Sequence, residues 1–111
     1  MKDLIDFAEF TKVDLRVGQI KEAKLPEGSE HLIQLLVDFG EEGERTIFAG
    51  IKKWYEPEEL EGKKLVFVLN MKPKKTPFGE SEGMLLAVDD KEGKPKIIEL
   101  DNSIETGASL R

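Results

Sequence analysis

Hydrophobic and polar residues alternate along most of this chain in short runs, broken by glycine, proline and acidic clusters. A period of two interrupted at about every 8–12 residues is the pattern of short strands in a small barrel or sandwich. Val13, Leu15 and Val17 alternate with Lys12, Asp14 and Arg16, but after Gly18 the apolar phase moves to Ile20. Strand side chains alternate faces, so a phase change at a glycine predicts a bulge or sharp bend there.

A second strand is predicted from Leu32 to Phe39, with Ile33, Leu35, Val37 and Phe39 on one face and Leu32, Gln34, Leu36 and Asp38 on the other. Gly40-Glu41-Glu42-Gly43 then turns the chain into a third strand, Arg45 to Ala49. From Trp54 to Gly62 the pattern changes: Pro57 suits the first position of a helix, acids fill its first turn and glycine ends it. A fourth strand, Lys64 to Met71, is apolar on both faces, as expected of a buried central strand.

Residues 72–82 hold two prolines and a glycine and are expected to form an exposed loop. A fifth strand is predicted at Met84 to Val88, and after the turn Asp90-Lys91-Glu92-Gly93 a further one at Lys96 to Leu100. Three strands, a short helix and then two more strands is the layout of an all-β, five-stranded OB-fold barrel, with the helix joining strands three and four. A generic all-β sandwich is the competing arrangement.

At 111 residues the chain is expected to be one domain, residues 1–111, around one core. No apolar run approaches the roughly 18–20 residues a bilayer span needs, so no membrane is expected. The N-terminus carries acids early and lacks the apolar stretch of a secretory signal, which fits a cytoplasmic protein. Without cysteine there is no disulfide, no thiolate chemistry and none of the common structural zinc sites.

Enzymatic chemistry has no candidate site, and no cofactor or metal is expected. His31 is the only histidine, and a solvent-facing position suits it better than a triad or a metal site that lacks its other members. Glu56, Glu58, Glu59 and Glu61 fit the dipole and solubility of a short exposed helix better than acid/base work. Gly62-Lys63-Lys64 lacks the upstream glycine and the hydroxyl residue of a P-loop.

The net charge of −6 argues at first against a polyanionic partner. Its distribution does not, because residues 62–79 carry Lys63, Lys64, Lys72, Lys74 and Lys75 and no acid. Lysines 72, 74 and 75 stand on a segment stiffened by Pro73 and Pro77, which reduces the freedom they would lose on meeting phosphates. OB folds bind oligonucleotides with strands two and three and with the loops joining strands one to two and four to five, and the last of these is the lysine segment. On charge alone, an ordinary solvated lysine loop explains the same residues.

The stretches FTKVDLRVGQI (10–20), LLVDFG (35–40), AGIKKWYEPEELEGKKLVFVLNMKPKK (49–75) and GESEGMLLA (79–87) occur in order and cover nearly the whole chain. Together they resemble the tRNA-binding domain family found at the C-terminus of methionyl-tRNA synthetases, in stand-alone bacterial tRNA-binding proteins and in cytokine-like synthetase cofactors. The resemblance implies an OB barrel whose N- and C-terminal extensions support a homodimer, recognition of folded tRNA without catalysis, and an aminoacyl-tRNA synthetase as partner. It implies Asn70, Lys72, Ser81 and Met84 as the foremost tRNA contacts, with Arg16, Lys52, Lys74 and Lys75 as supporting charges.

These residue types suit such contacts. Lysine and arginine neutralise phosphates, Asn70 and Ser81 can hydrogen-bond sugar or phosphate oxygens, and Met84 offers a soft apolar surface to an exposed base or ribose. From spacing alone, Met84 could equally fill the core. The chain departs from the family in GSEHLIQL (28–35), where many relatives place lysines near the positions of His31 and Gln34. Strand two is therefore expected to attract RNA less strongly, with more weight on dimerisation and a synthetase partner.

Two other functions fit parts of the pattern. A CsaA-like export chaperone resembles the same family in DLRVG (14–18) and DFGEEGER (38–45), although GESEGMLLA looks more like the tRNA-binding members. A general single-strand binder would need aromatic stacking platforms, and Phe39, Phe48 and Phe67 are expected to be committed to strand packing.

Overall fold

A computed structural model describes residues 1–111 and places most of the alternating segments in one antiparallel sheet. Its strands are β1 (Leu15–Lys24), β2 (Ile33–Asp38), β3 (Glu44–Ala49), β4 (Lys64–Val68) and β7 (Met84–Leu85), in the spatial order β3-β2-β1-β4-β7. The sheet curls until β3 approaches β7, giving a nearly closed five-stranded barrel. Between β3 and β4 sits α2 (Pro57–Leu60), with Pro57 at its start and a capping box formed by Glu56 and Glu59. The predicted OB-fold layout is thus observed.

Alternation does the work in β2. Ile33, Leu35, Val37 and the following Phe39 are fully buried, while Gln34, Leu36 and Asp38 are half-buried on the other face. They meet Ile20 of β1, Ile47 of β3 and Leu65 and Phe67 of β4 in one apolar cluster, where Phe39 and Phe67 pack edge to face at 5.3 Å. Each large side chain so buried contributes about 1.5–3 kcal/mol relative to exposure.

The first strand departs from expectation at Gly18. Its pairing with β4 runs without interruption from Leu15↔Val68 to Gln19↔Lys64, straight through the glycine. The irregularity falls later, between Ile20 and Glu22, and only in the pairing with β2. Gly18 is required by packing instead: a Cβ there would sit 2.5 Å from Val37, 2.7 Å from Phe39 and 2.9 Å from Phe67.

Residues 72–82 are also more ordered than expected of a loop. They form a hairpin, β5 (Lys74–Thr76) with β6 (Gly79–Ser81), whose turn is Pro77-Phe78 and is followed by a positive-φ Gly79. The expected fifth strand is divided. Met84 and Leu85 pair with β4, whereas β8 (Ala87–Asp89) leaves the barrel to pair with β9 (Pro95–Ile97).

Two short elements flank the barrel. A single helical turn, α1 (Phe7–Phe10), precedes β1, and β10 (Ser109–Leu110) pairs with the start of β1, whose other edge there pairs with the end of β4. The N-terminal segment leaves Leu4, Ile5, Phe7 and Val13 exposed, with Phe7 at 80%. No helix is long and apolar enough to cross a membrane.

Candidate nucleic-acid interface

The β5–β6 hairpin is fastened to β3 by side chains as well as by backbone. The Ser81 hydroxyl accepts the Phe48 N–H at 2.9 Å and donates to the Gly83 carbonyl at 3.1 Å. Glu82 accepts the Thr46 N–H through its carboxylate at 3.0 Å, and its own N–H donates to the Thr46 carbonyl at 2.8 Å. The result is an open cleft of about 470 Å³ between the hairpin and the ends of β2 and β3. Leu32, Phe48, Met71 and Met84 supply its apolar surface, and Lys72, Lys74 and Lys75 supply its charge.

These three lysines are exposed and belong to none of the chain's ion pairs, which join Arg16 to Asp14 and Glu42, Lys21 to Glu44, His31 to Glu30 and Lys63 to Glu99. Within the hairpin, Lys74 faces Ser81 in register and Lys75 faces Glu80. A carboxylate opposite weakens the field of Lys75, which leaves Lys72 and Lys74 with the stronger positive field. The other two lysines of the basic island are engaged elsewhere. Lys63 pairs with Glu99 at 3.3 Å, and the Lys64 ammonium donates to the carbonyls of Asn102 and Ile104.

Of the eight residues singled out from the sequence, Lys72, Lys74, Lys75, Ser81 and Met84 meet at this cleft. Met84 is 42% exposed at its edge, not in the core. Ser81 is buried, with its hydroxyl already used as both acceptor and donor. Asn70 stands just before the cleft, where its amide accepts the Asp14 N–H and donates to the Lys12 carbonyl. Lys52 is half-buried, its ammonium bonded to the Ser29 carbonyl.

Arg16 lies in a separate depression with Glu41, Glu42 and Glu105. Its guanidinium donates to Asp14 at 2.7 Å and to the Gly107 carbonyl at 3.2 Å. The bond to Asp14 raises its pKa above the ordinary arginine value, so it stays charged and its charge is balanced within the chain. His31 is largely exposed beside Glu30.

Sequence reasoning assigned Phe48 to packing and did not single out Leu32, Gly50 or Met71. Phe48, the penultimate residue of β3, has its ring beneath the hairpin and is 9% exposed, so it serves packing and cleft at once. Met71, expected at the end of a buried strand, is instead exposed beyond the end of β4 at Val68, and the signal available in the sequence was its place immediately before Lys72.

A five-stranded antiparallel barrel whose closing hairpin holds unpaired lysines over an apolar floor defines a binding domain of the OB-fold class. The chain belongs to the family described as "Putative tRNA binding domain", whose model matches residues 15–109. It is 43% identical over 107 residues to the methionine–tRNA ligase of Methanocaldococcus jannaschii, covering 96% of this chain and 16% of that enzyme. The chain therefore spans only a small part of the length of such relatives.

Two solved structures share nearly the whole fold. The MetRS related protein from Pyrococcus horikoshii superposes with a TM-score of 0.93 at 43% identity, over 99% of this chain and 100% of that one. The chaperone CsaA from Bacillus anthracis gives 0.86 at 29% identity, over 98% and 100%.

Proposed function

We propose that this protein binds folded tRNA and acts, without catalysis of its own, as an accessory to an aminoacyl-tRNA synthetase, foremost methionyl-tRNA synthetase. The observation that carries the reading is the unpaired state of Lys72, Lys74 and Lys75 around one cleft in an otherwise acidic chain. Phosphate contacts made by such lysines release counterions and give affinity that depends steeply on salt. The cleft lining contains no histidine, cysteine or carboxylate, which suits binding in place of chemistry.

The synthetase is suggested by the similarity to methionine–tRNA ligase, of which a domain like this one forms only a part. A tethered or docked tRNA-binding module raises the local concentration of tRNA at its partner. A homodimer is the accompanying proposal. Leu4, Ile5, Phe7 and Val13 present apolar surface that a second copy would cover, and a two-fold pair would offer two lysine clefts to one RNA.

The test is a titration of total tRNA at several salt concentrations. Lys72→Ala is expected to weaken binding to many tRNAs and to flatten the salt dependence by about one unit of slope. Unchanged affinity and slope would remove Lys72 from the interface. Sedimentation of wild type and Phe7→Asp tests the dimer, and a monomeric wild type at micromolar concentration with full tRNA affinity would contradict it.

A second reading is favoured by the apolar floor of the cleft and by the likeness to CsaA: a chaperone that holds extended segments of unfolded preproteins. Parallel titrations with an unfolded preprotein and with tRNA separate the two. Preference for the polypeptide, with weak dependence on salt, would favour the chaperone.

A further inference from the structure

Eight of the ten glycines hold a positive φ, which explains them by backbone conformation and leaves Gly18 and Gly50. Gly18 is explained by packing, since a Cβ would collide with three buried side chains. Gly50 is explained by neither. Its φ is not in the left-handed region, and a Cβ there would meet nothing within 4 Å. The chain makes a tight turn at this point, with the Ile51 N–H donating to the Ala49 carbonyl at 2.9 Å, and the exposed Gly50 lines the lysine cleft.

A glycine that neither conformation nor packing requires, set in the wall of a cleft, keeps bare backbone open to a closely approaching ligand. The cleft limits what that ligand is. Phe48, Leu32 and Met84 offer apolar surface, while Lys72 and Lys74 offer positive charge beside it. A nucleotide matches this pairing: a flat base with apolar faces, flanked by phosphates. Paired bases in an A-form stem are stacked and out of reach, whereas unpaired ones can be splayed into a pocket. A volume of about 470 Å³ lies within the usual range of small-ligand sites.

We propose that the cleft is a single-nucleotide subsite, in which the base of one unpaired nucleotide lies against Phe48, Leu32 and Met84 and passes close to the Gly50 backbone, with its flanking phosphates on Lys72 and Lys74. The proposal rests on the reading of this face as a tRNA interface and narrows it to RNA that can present an extruded base. Duplex RNA of equal charge meets the lysines but not the floor.

The experiment compares wild type with Gly50→Ala and Gly50→Val. Gly50→Ala is expected to fold with unchanged or higher thermal stability, because its Cβ would meet nothing within 4 Å and the unfolded chain is restricted, and thermal denaturation checks that Gly50→Val folds as well. Gly50→Val is expected to bind total tRNA about tenfold more weakly, by obstruction of the pocket, with Gly50→Ala intermediate. The salt slope stays at the wild-type value, because the phosphate contacts are intact. A stem–loop RNA carrying one unpaired fluorescent base analogue, whose emission reports stacking, should change emission with wild type and not with Gly50→Val.

Wild-type affinity and emission change in both variants would overturn the subsite and leave tRNA binding standing. A wild-type protein that fails to bind tRNA at all would overturn the interface and the subsite together. Loss of unfolded-preprotein capture in Gly50→Val, from a wild type that ignores tRNA, would assign the cleft to peptide side chains instead. Should Gly50→Val not fold, Gly50→Ala alone decides, through its affinity and its emission change.

Discussion

The Asn70 side chain clasps the backbone at Asp14: its Oδ1 accepts the Asp14 N–H at 2.8 Å, while Nδ2 donates to the neighbouring Lys12 carbonyl at 2.6 Å. The clasp is reinforced by the Leu69 N–H, which donates to the Asp14 carbonyl at 2.8 Å. On the other side, Arg16 joins the Asp14 carboxylate to the Gly107 carbonyl. Residues 12–16 therefore tie together the exposed apolar N-terminus, the root of the lysine hairpin and the C-terminal segment.

Asn70→Leu removes both side-chain bonds and should lower stability by about 1 kcal/mol, from the net value of two exposed hydrogen bonds. Because the hairpin root loosens, tRNA affinity should fall while the salt slope keeps its wild-type value. Thermal denaturation beside a tRNA titration checks this. Weaker binding at unchanged stability would instead place the Asn70 amide on the RNA.

Ser81→Ala leaves the Phe48 N–H without its side-chain acceptor at a buried position. An orphaned buried donor costs about 1–3 kcal/mol. Urea denaturation should show that loss, and hydrogen exchange at the Phe48 amide should accelerate, since the bond fastens the hairpin to β3. Exchange at wild-type rate would mean that another group fastens the hairpin.

Strands carrying their own alternation were legible from the sequence. Ile33, Leu35, Val37 and Phe39 point inward because each must, and Pro57 begins a helix because its fixed φ and missing N–H suit only that position. What escaped sequence reasoning depends on partners distant along the chain. Gly18 has the look of a bulge until Val37, Phe39 and Phe67 are placed around it. Lys63 and Lys64 looked like members of one basic patch until the segment containing Glu99, Asn102 and Ile104 folded over them. The β5–β6 hairpin was hidden by Pro73 and Pro77, whose punctuation suits a loop and a tight hairpin alike. Lysines 72, 74 and 75 were legible as a cluster because a hairpin keeps sequence neighbours together.

The Asp90 carboxylate accepts the N–H groups of Glu92 and Lys94, each at 2.9 Å, across the turn between β8 and β9. These bonds, that to Lys94 foremost, hold its pKa below the ordinary carboxylate value. A carboxylate whose pKa is lower in the folded state stabilises that state fully above its unfolded pKa, and the contribution is lost as pH falls through the folded value. The β8–β9 turn should therefore loosen progressively on acidification below the ordinary carboxylate range, read as faster amide exchange at Lys94 after correction for the intrinsic pH effect. In Asp90→Asn the titrating group is gone, so exchange at Lys94 should show no such additional acid dependence. Equal pH dependence in variant and wild type would assign the effect to another carboxylate, Asp101 first, whose pKa is lowered by Ser103.

Gly18→Ala should be among the most damaging small changes in the barrel. Glycine sits where β1 pairs with β4 and packs against the end of β2, and the added methyl would fall within 2.9 Å of Val37, Phe39 and Phe67. All three are buried, and the two rings already contact each other edge to face, so none can swing into free space. Overpacking of this kind costs about 1–3 kcal/mol. The nearest obstruction is a single methyl group, Cγ1 of Val37 at 2.5 Å. Val37→Ala alone should also destabilise, by removing buried carbon, but in combination it removes the nearest of the three clashes and leaves space into which the two rings can shift. The double variant should therefore be more stable than the sum of the two single losses allows, with a coupling of about 1 kcal/mol or more in urea denaturation. Strict additivity would mean that the backbone of β1 moves away to relieve the clash, and in that case the pairing of Gly18 with Leu65 should show faster amide exchange.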